Sequence, residues 1–387
     1  MKKICVVTGT RAEFGLLKLL ITKLQKSDKV DLQLCVTGAH LATEFGLTYR
    51  EIESEGFFIN SKIEIILSSD TPTGVSKSMG LGLIGFSQEF ERLQPDLIIL
   101  LGDRYEIIVA AIAATVARVP IAHIHGGEIT EGAIDDAFRH SITKMSHLHF
   151  VATDEYKKRV IQLGENPEFV YNVGGLGVDV IRNTKFLSKK QLEEKLNIKF
   201  WRRNILVTFH PETLEEKSTI NHMIELLNAL NRYDDTKIIF TMPNADTGGR
   251  IFMKLIHEFN SKNSNSVVFS SLGILNYLSV LRIVNMVVGN SSSGLLEVPS
   301  FNIPTINIGD RQKGRTKPLS VIDCKPNMQS IVSAIKKGLS NDFNERIKNV
   351  VNPYGDGGSS KKIFEVISKI KLNKLRNKSF IDVSSIL

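Results

Sequence analysis

"DLIILLGDRYEIIVAAIAATVARVPIAHIHGG" runs from Asp96 to Gly127. How this stretch is parsed settles the architecture. "DLIILLGD" is an unbroken apolar run ending in Gly and Asp. Strands buried on both faces look like this, because helices cover both sides of a parallel sheet. The segment from Arg104 to Ala117 is too long for one strand and suits a buried helix. "PIAHI" is a second apolar run that stops at a Gly-Gly turn. Strand, helix and strand in succession form a βαβ unit, and the sheet it builds is parallel.

The same alternation extends both ways. "ICVVTG" and "LQLCVTG" precede it and "LHFVAT" follows, with helical segments at Glu13–Gln25 and Val75–Leu93. "NVGGLGVDVI" (Asn172 to Ile181) then breaks the pattern and suggests a hinge. After the polar helix "SKKQLEEKLNIKF" a second series begins: "NILVTFH", "TKIIFTMPN", "NSVVFS", "NMVVGN" and "PTINIGD". The expected fold is α/β, with two doubly wound, Rossmann-like domains (1–175 and 176–354) around a cleft. The segment 355–387 is expected to be able to pack back on the first domain. Ligands of such sheets bind beyond the carboxyl ends of the strands.

The bulk numbers exclude several classes. The chain has 387 residues, 42% apolar and 23% charged, enough for two proper cores. Its net charge is +8. Part of that excess lies in "KKIFEVISKIKLNKLRNK" (Lys361 to Lys378), with no interleaved aromatics and no nucleic-acid motif, so a nucleic-acid partner is not expected. A basic surface also attracts an anionic small substrate. The longest apolar stretch, Ile107 to Ala117, falls short of a membrane span, and the N-terminal run is too short for a signal sequence. Cys5, Cys35 and Cys324 are scattered without CxxC spacing. Neither a zinc site nor a disulfide framework is expected, and a cytoplasmic setting follows.

Ionisable groups crowd into "HIHGGEITEGAIDDAFRHSITK" (His123 to Lys144). A metal cage, an acid/base site and a solvated loop compete. Alternation along a strand sends His123 and His125 to opposite faces, which disfavours the cage. His125 and Glu128 reach the carboxyl edge of the sheet. Asp135 and Asp136 open a helix, where the helix dipole alone would favour them. Arg139 and His140 lie one turn on, facing them. Asp103 ends the preceding strand and could be a helix cap or an acid; the two weigh equally.

Further motifs follow other strands. "TGTRAEFG" is not GxGxxG, but its Gly-Thr-Arg turn could hold an anion with backbone N–H groups and Arg11. In "GNSSSGLLEVPS" (Gly289 to Ser300) small residues let backbone N–H groups approach a diphosphate, and Glu297 could accept ribose hydroxyls. Serines also cap helices with no ligand, but the trio together with Gly294 and Glu297 favours a ligand. "FHPET", "MPNADTGG" and "GDRQKGR" bring His210, Asn244 and Arg311 to the same edge.

Taken in order, "GTRAEFG", "LGDRYE", "HIHGGE", "DDAFRHSITK", "FHPET", "PNADTG", "GNSSSGLLEVPS" and "INIGDRQKGR" resemble the hydrolysing UDP-N-acetylglucosamine 2-epimerases, nearest the bacterial branch serving sialic-acid synthesis. The likeness reaches to about residue 355. It implies a glycosyltransferase-B-like fold and conversion of UDP-N-acetylglucosamine and water to N-acetylmannosamine and UDP. UDP would leave by anti-elimination through 2-acetamidoglucal, which is then rehydrated. It implies no metal or redox cofactor, and a homodimer. Carried over by position, the acid/base group would be Asp103, His125, Glu128, Asp135, Asp136 and Arg139. The substrate contacts would be Arg11, Ala12, Arg104, His210, Asn244, Ser271, Ser291, Ser292, Gly294, Glu297 and Arg311, with His40 on the sugar side. Two departures stand out. Relatives commonly carry glutamate where this chain has His125. Many carry lysine at the position of Leu16, whereas here Lys18 follows two residues later. The rivals are a UDP-sugar glycosyltransferase of the same fold and a non-catalytic nucleic-acid-binding protein. UDP-N-acetylglucosamine is preferred as substrate over UDP-N,N′-diacetylbacillosamine, which serves legionaminic-acid synthesis.

Overall fold

The computed structural model describes every residue except 68, 70, 131–133, 211–215, 243–248, 376 and 383–387. It divides the chain into two compact units. The first comprises Met1–Glu128, Ile134–Val180 and Gly357–Leu387; the second comprises Ile129–Ala133 and Ile181–Asp356.

The first unit holds seven strands: β1 (Lys2–Thr8), β2 (Val30–Thr37), β3 (Ser61–Ile63), β4 (Leu97–Leu101), β5 (Ile121–Ile124), β6 (Leu148–Val151) and β7 (Val170–Asn172). They form one sheet in the order β3-β2-β1-β4-β5-β6-β7, with every pairing parallel. Both faces are covered. Ile4, Val6, Leu34 and Ile99 pack with Leu17, Leu20 and Ile21 of helix Arg11–Gln25, and with Ile363 and Ile367 of helix Ser359–Lys369. Cys5, Val7, Ile98 and Leu100 pack with Phe86 and Phe90 of helix Pro72–Leu93 and with Ile107 and Ala111 of helix Tyr105–Val116. Two covered faces are why these strands show no polar alternation. Each buried Val, Leu, Ile or Phe among them contributes about 1.5–3 kcal/mol. Lys2 Nζ donates to the carbonyls of Ile367, Ser368 and Ile370, capping helix Ser359–Lys369. Asp179 accepts from the backbone N–H of Gly358 and Ser360 at the other end.

The second unit repeats the scheme with β8 (Arg203–Thr208), β9 (Thr236–Thr241), β10 (Ser266–Phe269), β11 (Met286–Gly289), β12 (Thr305–Ile308) and β13 (Val321–Cys324). Their order is β10-β9-β8-β11-β12-β13, again all parallel. Each sheet reverses its winding once, between β1 and β4 and between β8 and β11. Such switch points open the crevice where doubly wound folds bind ligands.

Three features depart from the sequence reading. β3 and β7 are three-residue edge strands and β13 is a half-exposed edge strand carrying Asp323, so none stands out as an apolar run. The stretch read as a hinge is mostly helix, Leu176–Asn183, and the division between the units falls inside it. β5 ends at Ile124, so His125 is not a strand residue. No helix among the described residues is long and apolar enough to cross a membrane.

Candidate active site

At the carboxyl edge of the first sheet, Gly102 turns the chain out of β4 at φ +80°. Asp103 follows. The N-cap of helix Tyr105–Val116 is Arg104, with no side-chain capping bond, so Asp103 is not the cap. Its carboxylate instead accepts from Arg139 Nη2. The Arg139 side chain is only 3% exposed. Its Nη1 also donates to Asp136 Oδ1 (3.1 Å) and to the Glu128 carbonyl (3.1 Å). His140 Nε2 lies 3.4 Å from Asp136 Oδ2. One guanidinium therefore gathers acids from the β4 edge and from helix Ile134–Met145, and ties them to the loop after β5. Charge-assisted contacts of this kind are short and directional.

His125 sits in the left-handed region at φ +66°. Its Nδ1 donates to Glu128 Oε1 (2.8 Å), while Nε2 accepts the Leu176 backbone N–H (3.3 Å). That pair of bonds fixes the neutral tautomer with the proton on Nδ1. His123 is fully buried. Its Nε2 donates to the Gly102 carbonyl (2.8 Å) and its Nδ1 accepts from the Thr143 hydroxyl (3.1 Å). Burial pushes its pKa down to about 3. A neutral His123 thus braces the turn that presents Asp103.

Beside this lies the turn after β1. Thr10 caps helix Arg11–Gln25 by accepting the Glu13 N–H (3.2 Å). Arg11 and Ala12 are exposed, and Arg11 Nε pairs with Glu51 Oε2 at 2.9 Å. Exposed pairs contribute little, so an arriving anion can displace that one at small cost. Arg104 donates through Nε and Nη2 to both oxygens of Glu106, each at 3.2 Å.

The second sheet offers a different edge. Gly289, at φ +144°, must lack a side chain, because a Cβ would lie 1.9 Å from the Thr208 carbonyl oxygen. That close approach lets Asn290 clamp the end of β8. Its Oδ1 accepts the His210 N–H (2.7 Å) and its Nδ2 donates to the His210 carbonyl (2.9 Å). Arg311 Nη1 (3.1 Å) and Gln312 Nε2 (2.8 Å) donate to the Asn290 carbonyl. Burial, with Arg311 nearby, pushes His210 down to about 4, so its ring is neutral. Its Nδ1 has no hydrogen-bond partner among the described residues. Ser292 starts the short helix Ser293–Leu296 without a side-chain capping bond, and Glu297 ends it. Ser291 lies in the turn before it, half-buried. The Ser293 hydroxyl meets Tyr277 OH.

Comparison with known proteins decides the family. The family described as UDP-N-acetylglucosamine 2-epimerase matches residues 22–368. The chain is 44% identical to the GDP/UDP-N,N′-diacetylbacillosamine 2-epimerase (hydrolyzing) of Campylobacter jejuni, over 99% of each chain. It is 41% identical to the polysialic acid biosynthesis protein P7 of Escherichia coli, over 92% of this chain and 90% of that one. This chain belongs to the UDP-N-acetylglucosamine 2-epimerase family. Its fold matches the crystal structure of UDP-GlcNAc 2-epimerase from Neisseria meningitidis bound to UDP-GlcNAc, with a TM-score of 0.82 at 20% identity, covering 95% of this chain and all of that one. The fold is therefore glycosyltransferase-B-like, two Rossmann-like units in one chain.

Within this family member the sequence-derived site residues fall unevenly. Asp103, Glu128, Asp136, Arg139 and His125 are brought together by the bonds above. Asp135 lies half-buried in the first turn of helix Ile134–Met145. Asn244 lies outside the described residues. Ser271 is exposed just after β10, accepting the Gly273 N–H. Gly294 is accounted for by packing, since a Cβ there would lie 2.6 Å from the Thr305 methyl. His40 needs correction. It is fully buried, with Nε2 3.1 Å from the Thr8 hydroxyl and Nδ1 2.8 Å from the Thr48 hydroxyl. Burial lowers it to about 4, and no ring nitrogen is left for a sugar. The face argument for His123 and His125 also needs correction: what separates them is the left-handed turn at His125, not strand alternation. Lys18 pairs with Glu55 at 2.8 Å. The sequence reading missed Glu13 and Glu106. Acids in a first helical turn read as ordinary dipole partners, and only their burial sets them apart. Among the described residues, no group of three or more His, Cys, Asp or Glu side chains could hold a metal ion.

Proposed function

We propose that the protein is a hydrolysing 2-epimerase acting on a nucleoside-diphosphate sugar that carries a 2-acetamido group. The observation that carries this reading is the Asp103–Arg139–Asp136 cluster, two carboxylates held on one buried guanidinium at a sheet edge. A carboxylate of the cluster takes the C2 proton. The C2–H electrons form the C1=C2 bond while the C1–O bond breaks, and the nucleoside diphosphate leaves with that electron pair. Water oxygen then adds at C1, and C2 receives a proton on the opposite face. Such chemistry needs an acid and a base that stay apart. Arg104 and Arg311 stabilise charge growing on the departing diphosphate. His210, Ser291, Ser292 and Glu297 hold the nucleotide. His125 orients Glu128 in this scheme, because both its ring nitrogens are already engaged.

Two sugars have specific support. The 44% relative puts the N,N′-diacetylated sugar first. The 41% relative, named for polysialic acid biosynthesis, keeps UDP-N-acetylglucosamine as the second reading. Each sugar is supplied in heavy water, as its UDP form and, for the diacetylated sugar, its GDP form, and followed by proton NMR. The reading requires free 2-epimerised sugar, nucleoside diphosphate and deuterium at C2, without an acceptor. Product lacking C2 deuterium would remove the elimination, and an absolute need for an acceptor would make the protein a transferase. The larger kcat/KM assigns the sugar. A homodimer and a cytoplasmic setting belong to the same proposal; sedimentation of the purified chain reads the first.

A further inference from the structure

The first sheet reverses its winding between β1 and β4, and two carboxylates are buried there. Glu106, on helix Tyr105–Val116, has a side chain only 1% exposed, yet the Arg104 side chain it holds is 45% exposed. The fork uses Nε and one N–H of Nη2. The Nη1 edge makes no hydrogen bond among the described residues, so the guanidinium is anchored from beneath and open on one edge. Glu13, buried on helix Arg11–Gln25, accepts the Gly9 N–H through Oε2 (2.7 Å). The backbone closes over both acids. A Cβ on Gly9 would lie 3.4 Å from Glu13 Oε2, and one on Gly38, at φ +57°, 3.0 Å from Glu106 Oε1.

We propose that Glu106 positions Arg104 for the substrate diphosphate, and that Glu13 takes up a proton when the diphosphate binds. This rests on the epimerase reading above. An ionised Glu13 would add a second buried negative charge beneath a turn that receives an anion. Its proton and the diphosphate therefore favour each other, as linkage requires. Burial and the neighbouring Glu106 push the Glu13 carboxyl up to about 7, with Arg104 and the Gly9 amide pulling it back and Asp103 adding a small upward push. The other facing groups are Tyr105, held up at about 12 by burial and by Glu106, and Asp103, whose carboxylate pairs with Arg139. Arg11, on the helix that carries Glu13, pairs with Glu51.

The sign follows. Substrate is favoured by protonated Glu13, so kcat/KM falls as pH rises through about 7. A UDP-sugar diphosphate is a diester and does not itself titrate there. Glu13→Gln keeps the acceptor for the Gly9 N–H and mimics the acid form. The expected result is a kcat/KM that stays flat from about pH 6 to 8.5, where the wild type loses roughly tenfold per unit above its pKa. Glu106→Gln should lower kcat/KM about tenfold, and should add nothing in an Arg104→Ala background, the mark of a residue acting through another. In wild-type protein with 13C-labelled glutamate carboxyls, one carboxyl should titrate near neutrality and move upward when UDP is added. No carboxyl titrating there, a wild-type pH limb in Glu13→Gln, or additive Glu106 and Arg104 effects would each overturn the proposal. The carboxyl titration without ligand needs no turnover and no variant that folds. A wild type that releases no nucleoside diphosphate from any sugar would remove the epimerase reading, a failure that titration tells apart.

Discussion

The carboxyl edges of the two sheets are built alike and furnished differently. The first is charged and already paired. Arg139 holds Asp103 and Asp136, His125 holds Glu128, and Arg104 is forked on Glu106. The second is mostly neutral: His210 and Asn290 lock each other, and the serines keep hydroxyls that no helix cap consumes. Burying charges is costly unless they pair, so a site rich in them has a use for charge. A mostly neutral donor set with one arginine suits a nucleotide held by hydrogen bonds and exchanging no protons with its holders. On this contrast the proposal gives proton transfer to the first unit and nucleotide holding to the second, and each half can be broken separately.

The largest expected effect comes from the charged edge. Asp103→Asn should lower turnover about 10³-fold, within the range for losing a proton-transfer group. Affinity for UDP, read by calorimetry, should stay within about twofold. Near-normal turnover with a lower melting temperature would reduce Asp103 to a partner that keeps Arg139 in place. Equal losses of turnover and affinity would blur the two edges.

The neutral edge should answer the other way. Glu297→Ala is expected to weaken UDP by about 1–3 kcal/mol, the usual range for unpairing buried hydrogen bonds. Turnover at saturating substrate should change only a few-fold. His210→Ala should behave alike, because its buried ring, whose Nδ1 has no partner among the described residues, is neutral across the working pH range. Unchanged affinity in both variants would remove the nucleotide from this edge.

Acid should separate the units by stability. His40, His123 and His147 in the first unit, and His210 in the second, have pKa values lowered by burial to about 4, about 3, about 4 and about 4. Burial likewise lowers His149 in the first unit, against its bond to Glu165. A depressed histidine contributes stability above its unfolded value of about 6.5 and loses it as pH falls toward the folded one. Glu13 runs oppositely. Its folded value is raised, so its contribution is present in acid and fades as pH rises through about 7, offsetting roughly one histidine. At roughly 1 kcal/mol each, going from pH 7 to 5 should lower the first unit's melting temperature by about 5 °C or more and the second's by about 2 °C. Trp201, the single tryptophan, reports the second unit by fluorescence, and hydrogen exchange of β4 and β5 reports the first. Equal shifts would mean that the units melt as one.

Much of this was legible in the sequence for a physical reason. Strands buried on both faces leave continuous apolar runs, so β1, β2, β4 to β6, β8, β9, β11 and β12 could be read directly, as could the apolar edge strand β10, while the three-residue β3 and β7 and the half-exposed β13 could not. Residues at strand ends were legible because backbone geometry puts them at one edge. Side-chain partners were not. Nothing in "LGDRYE" says that Glu106 is buried under Arg104 or that Asp103 reaches Arg139, 36 positions on. His40 misled for the same reason: a histidine after a strand looks exposed until Thr8 and Thr48 are found on both its nitrogens.

The smallest effect is the sharpest test of the charged edge. His125 stands where relatives commonly carry a glutamate, which invites a proton-transfer role. The geometry argues for a spacer instead. Nδ1–H is committed to Glu128, and Nε2 to the Leu176 N–H. A ring with both nitrogens engaged can pass a proton only by first giving up one of those bonds. Its backbone is also unusual, at φ +66°, a conformation that asparagine tolerates better than most residues. His125→Asn therefore keeps the turn while removing the imidazole. If His125 only orients Glu128, kcat should fall less than about tenfold, and its pH profile should keep the wild-type shape. Proton transfer through His125 would instead lower kcat about 10²-fold or more and delete one limb of that profile. Glu128→Gln separates the cases further. In the spacer reading it costs at least as much as His125→Asn, because the imidazole then has nothing to orient, and the double variant is no worse than Glu128→Gln alone.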